Sequence, residues 1–191
     1  MKIKNITLYI LGLIIFSLGA TSFILSHLGT DPLDVLLIGL GKWIPVSIGD
    51  ASVIVSILFL AIYSLWNKKY PPILSIVTTV AVGYLVDFWL TVSVLHMNSW
   101  AWLSIGVILC SLSSAMIIRS QYGIRIMDLI VLTMQEKLSW TFTTGKLLIE
   151  VGLFSIGWIL GGPFGIGTVV FMVGVGILIE PFLKLLTIIK L

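Results

Sequence analysis

The sequence predicts an all-α polytopic membrane protein. Six transmembrane helices form two inverted three-helix repeats, each with a short half-helix after its first span. Three observations predict this. First, of 191 residues 59% are hydrophobic and 10% charged, against about 25% charged in a typical soluble domain. So few charges cannot cover a soluble core, whereas bilayer hydrocarbon needs no covering. Second, six apolar stretches are each long enough to cross a core near 30 Å thick, which takes about 20 residues. Third, the motif that follows the first stretch returns 94 positions later.

The first span covers roughly 5–27. Met1-Lys2-Ile3-Lys4 before it is like the start of a signal peptide. The apolar run is long, however, and no small-residue cleavage site precedes Gly29, so the span reads as uncleaved. Gly29 is placed as a left-handed C-cap ending it, and Gly123 as the cap ending span four. Next comes a half-helix over 32–43, too short to cross. Asp31 is its N-cap, Pro32 its first residue and Asp34 its third, where a carboxylate faces the positive helix end. Ser47-Ile48-Gly49-Asp50 opens the second span in capping-box style.

The second to sixth spans are placed at about 48–66, 71–94, 101–119, 143–161 and 166–188. A second half-helix, about 124–138, lies between spans four and five. Thr143 and Thr144 open span five, and Gly161 to Gly167 make a tight outer turn. Trp43, Trp66, Trp89, Trp100, Trp102, Trp140 and Trp158 fall near segment ends, as in an aromatic belt. With the N-terminus inside, ten of the eleven Lys and Arg residues lie on the inner side and only Lys42 on the outer. The positive-inside rule thus makes both termini cytoplasmic. Arg119 and Arg125 are expected to anchor that face. Either half-helix, if it crossed alone, would break this charge alternation.

The two copies, 1–96 and 97–191, align through residues that apolar runs do not share by default. Ser17, Ser26, Gly29 and Asp34 match Ser111, Ser120, Gly123 and Asp128 at offset 94, and Asp87 matches Glu180 at offset 93. Three spans per copy is an odd number, so the second copy enters from the opposite side. Secondary transporters reuse this plan, with sites formed by broken helices at the repeat interface.

Asp87 and Glu180 are acids inside apolar segments. Each costs about 2.5–3.5 kcal/mol to insert and by default faces an interior or a cavity. Asp34 and Asp128, at the half-helix starts, would line the same site from opposite sides. These four are the candidate substrate- or ion-binding residues, and Gly29, Asp31, Pro32 and Gly123 shape the two turns. Lys146 and Glu150 are spaced to pair on one helix face. Cys110 is the only cysteine, which excludes an internal disulfide and a thiolate metal cluster, and it reads as a small packing residue. No catalytic motif, metal site or cofactor loop is present, so the chain reads as no enzyme. There is no basic run for nucleic acid.

Leu28-Gly29-Thr30-Asp31-Pro32-Leu33-Asp34-Val35-Leu36, then Gly39-Leu40 and Ser47-Ile48-Gly49, resembles the signature of the YczE/YyaS/YitT group of bacterial integral membrane proteins. The resemblance covers essentially the whole chain. It departs at Leu33, where the group often has an aromatic residue, and at Arg125-Ile126-Met127, where the second copy lacks a proline. The group is sometimes described as permease-like, which implies a multi-pass protein of the bacterial inner membrane. The expected function is ion-gradient-driven movement of a small molecule, with the bilayer, that solute or ion, and a second copy in a homodimer as partners. The competing expectation is a non-transporting scaffold or accessory protein for a partner enzyme or assembly. A transporter needs an aqueous cavity reaching Asp34, Asp87 or Glu180; a scaffold needs a closed interior.

Overall fold

A computed structural model describes residues 3–70, 72–93 and 97–188, without the side chains of Phe142, Thr143 and Glu180. Among the described residues eight helices follow one another: α1 (Ile3–Ser26), α2 (Pro32–Gly41), α3 (Ile48–Asn67), α4 (Ile73–Val92), α5 (Ser99–Ser120), α6 (Ile126–Leu138), α7 (Phe142–Ile159) and α8 (Ile166–Ile188). No strand occurs among the described residues. Within α8, Phe171–Val175 is a π-helical turn. Helices α1, α3, α4, α5 and α8 are long and apolar enough to cross a membrane. Helix α7, expected as a sixth span, has 18 residues, about 27 Å of helix. It carries Lys146 and Glu150 and is not one of those five. The two half-helices are shorter than expected: the first stops at Gly41 and the second starts at Ile126.

The centre of the molecule is the antiparallel crossing of α1 and α5. Lipid tails are as apolar as leucine, so helices associate there through close packing rather than water exclusion. Small residues provide it. Gly12 meets Ile117, Gly19 meets Cys110 and Gly106 meets Phe23. Two of these contacts are reciprocal: Gly12 and Gly106 are 94 apart, and so are Phe23 and Ile117, whereas Gly19 corresponds to Ser113. Cys110 is fully buried in this crossing, with Sγ 3.9 Å from the Phe16 carbonyl. Helix α4 flanks α1 and packs along α3, and α8 flanks α5. Helix α2 lies against α7, and α6 packs on α7 and α3. Helices α7 and α8, consecutive in the chain, pack little against each other.

The turns after α1 and α5 are built alike. Ser26 and Ser120 each donate to a carbonyl three residues back at 2.6 Å, and each accepts from the N–H two residues on at 3.1 Å. The left-handed residues that end the two helices are His27 (φ 55°) and Gln121 (φ 59°). Gly29 and Gly123 are therefore not the helix caps. They come two residues later, at φ 114° and 48°, where the chain turns toward the half-helix. Only glycine fits both places well, because a Cβ at either would collide with a threonine hydroxyl, Thr168 for Gly29 and Thr78 for Gly123.

The tryptophans do not all form a belt. Trp43, Trp100 and Trp158 are well exposed, whereas Trp89 points inward and donates from Nε1 to Ser17 at 3.0 Å.

Candidate functional site

The half-helix starts carry the chemistry. Asp31 caps α2, its Oδ1 accepting from the Asp34 N–H at 2.8 Å, and Pro32 takes a first-turn position that needs no donor. Asp34 Oδ2 accepts from Thr30 Oγ1 at 3.4 Å. The loop holding them is pinned to α8, where Thr30 N donates to Thr168 Oγ1 and Gly167 N to the Leu28 carbonyl. At the α6 start, Arg125 occupies the position equivalent to Asp31 and makes no side-chain cap. Instead Ile126 N donates to Thr79 Oγ1 of α4 at 3.3 Å.

Arg125 is the largest departure from expectation. It is not a surface anchor. Only 5% of it is exposed, and its guanidinium lies 4.5 Å from the ring centre of Phe16 in the middle of α1. Its Nε is 3.0 Å from Asp128 Oδ2. Lys146 Nζ approaches Asp128 Oδ1 at 3.4 Å and Glu150 Oε1 at 2.7 Å. The Lys146–Glu150 pair is the one their spacing suggests, and Asp128 extends it to a chain of four charges. With Asp31 and Asp34, six charged residues are buried inside the protein. Charges so placed are stable only when paired with one another or with a ligand.

Two small cavities border this cluster. One is lined by Phe16, Asp31, Leu33, Asp34, Leu37, Thr79, Val82, Gly83 and Arg125. Ser114, Ile117, Ile118, Ile124, Asp128, Lys146 and Ile179 line the other, again with Arg125. Arg125 thus forms a wall of both. Each has room for about one water.

Asp31, Asp34 and Asp128 line the cavities that share Arg125, whereas Asp87 lines neither. Asp87 accepts from the N–H groups of Ile48 (3.1 Å) and Gly49 (2.7 Å), holding the start of α3 from the neighbouring helix. The side chain of Glu180 lies outside the described part of the structure. Sequence reading missed Arg125 as a buried residue because it was counted among the basic residues of a cytoplasmic loop. A signal was available: the repeat offset pairs it with Asp31, an N-cap already assigned.

The chain is 29% identical to the uncharacterized protein YyaS of Bacillus subtilis over 93% of this chain and 91% of the relative. It is 25% identical to the uncharacterized membrane protein YczE of the same organism, over 91% and 83% of the two chains. An uncharacterized protein of Haemophilus influenzae is 21% identical over 96% of this chain and 85% of the relative. No solved structure matches. The match to the family of unknown function DUF6198 runs over residues 3–184, and the chain belongs to that family.

Proposed function

We propose that the protein is an ion-gradient-driven secondary transporter of a small solute in the bacterial inner membrane, with both termini cytoplasmic. One observation carries the reading: six charged side chains are buried where two half-helix starts meet inside an apolar helical domain. In this reading residues 1–96 and 97–191 are inverted repeats. The antiparallel, reciprocal α1–α5 crossing, the matching Ser26 and Ser120 turns, and Gly29 and Gly123 against threonines of α8 and α4 all support it. Two oppositely oriented halves can exchange conformations and open one central site to each side in turn. Asp34 and Asp128 bind solute or ion, while Gly29, Asp31, Pro32 and Gly123 shape the two starts. Asp87 and Glu180, at equivalent repeat positions, are the further candidate ion carriers.

The small size of these two cavities favours the second reading, a scaffold that moves nothing. Cysteine accessibility separates the two. In a Cys110→Ala background, Thr79→Cys reports on one cavity and Ser114→Cys on the other. Alternating access predicts that a membrane-impermeant maleimide reaches both positions, in vesicles of one orientation or the other. If neither position reacts from either face, transport is rejected in favour of the scaffold.

A further inference from the structure

The six buried charges do not balance. Four carboxylates, Asp31, Asp34, Asp128 and Glu150, stand against two cations, Arg125 and Lys146. Three of the carboxylates have partners that hold a negative charge. Asp128 takes Arg125 Nε at 3.0 Å and Lys146 Nζ at 3.4 Å, and Glu150 takes Lys146 Nζ at 2.7 Å. Asp31 caps α2 and accepts the Asp34 N–H at 2.8 Å. Asp34 is the exception. Among the described residues its carboxylate forms no ion pair and accepts no N–H. Its hydrogen bond is with the Thr30 hydroxyl at 3.4 Å, longer than such bonds ordinarily are. Only 5% of Asp34 is exposed.

The surroundings do not make up the deficit. The charges that act on Asp34 are Asp31 in its own loop, Arg125 at the start of α6 and Asp87 on α4, so two of the three repel a negative charge there. Of the helices packed on α2, α7 turns Lys146 toward Asp128 and Glu150, and the acid of α3, Asp50, is exposed and bonded to Tyr84. A metal cation fits poorly as well. The cavity that Asp34 lines holds about one water, and Arg125 forms part of its wall. A buried carboxylate without a counter-charge is neutralised by taking up a proton.

We infer that Asp34 carries the coupling ion and that the ion is a proton. Asp34 takes it up from water and holds it as the neutral acid while the cavity is closed. Contact of the cavity with water lets the carboxylate form and the proton leave. The coupling role rests on the transport reading; the buried proton itself does not.

Infrared difference spectroscopy on the detergent-solubilised full chain at neutral pH tests this. Wild type should show the carbonyl band of a protonated carboxyl, shifting in heavy water. Asp34→Asn should lack the band, and Glu150→Gln should keep it. Asparagine copies the neutral acid, so Asp34→Asn should melt no lower than wild type. A group protonated in the folded chain and ionised in the unfolded one loses stability as pH rises. The two proteins should therefore melt alike near pH 4, and above it the folding equilibrium of wild type should fall behind by up to about tenfold per pH unit. Absence of the band from wild type, its loss in Glu150→Gln but not in Asp34→Asn, or a lower melting temperature for Asp34→Asn at neutral pH would each overturn the assignment. Exchanging potassium for sodium should leave melting unchanged; a rise that Asp34→Asn removes would make the ion sodium. If the band is present while Thr79→Cys and Ser114→Cys stay unreactive from both faces, the coupling role falls and the proton is structural only.

Discussion

At the scale of single residues, the decisive fact is that charge is buried in compensated sets. Arg125, Asp128, Lys146 and Glu150 neutralise one another in series. Arg125→Gln should therefore be strongly destabilising, by roughly 3–5 kcal/mol, the usual cost of stranding a buried partner. Adding Asp128→Asn should recover part of that loss, which denaturant titration in detergent can measure as a coupling energy. Asp87→Asn should cost about 1–2 kcal/mol in the same assay, because Ile48 and Gly49 lose a charged acceptor at the start of α3. An unchanged midpoint would remove Asp87 from any anchoring role. The local parts of this picture were legible in the sequence. Asp31, Pro32 and Asp34 announce a helix start through their own backbone preferences, and Lys146 and Glu150 announce a pair through helical spacing. The seat of Arg125 on Phe16 was not legible, because 109 residues separate the two in the chain and no local rule reaches that far.

Among the elements, the half-helices matter most, and their placement depends on two tight turns. Gly29→Ala and Gly123→Ala should each cost more than about 1 kcal/mol, since each forces a Cβ into a left-handed backbone and against a threonine hydroxyl. Removing the Thr168 hydroxyl in Gly29→Ala/Thr168→Ala should recover little, because the added Cβ also meets the backbone nitrogens of Gly165 and Thr168 at 2.9 Å and the Thr30 N–H loses its acceptor. Melting temperatures of the single and double variants check this. Equal melting of Gly29→Ala and wild type would show that the turn tolerates a side chain. The existence and order of all eight helices followed from apolar length and capping chemistry. Their ends were less legible. His27 and Gln121 took the left-handed caps that glycine would ordinarily fill. The π turn in α8, in which Phe171 and Val175 are both buried, has no signature in apolar length or capping chemistry.

For the whole molecule, charge distribution makes a topological prediction. A cysteine at position 68, exposed in the turn after α3, should be labelled only from the cytoplasmic side. Labelling from outside intact cells would reverse the orientation and with it the side from which each half-helix enters. The layout also has an unequal feature that the sequence did not reveal: α3 packs along α4, whereas α7 and α8 pack little. The α1–α5 crossing has the opposite character. Two of its three glycine contacts map onto each other when the two halves trade roles, Gly12 on Ile117 becoming Gly106 on Phe23. Under the transport reading, such a crossing works as a fulcrum, since swapping the halves exchanges these two contacts for each other. The energetic bias between the two orientations would then come from the unequal pairs, α3 with α4 against α7 with α8. Tightening the fulcrum should thus change how stable the protein is, and altering the loose pair should change which way it prefers to face.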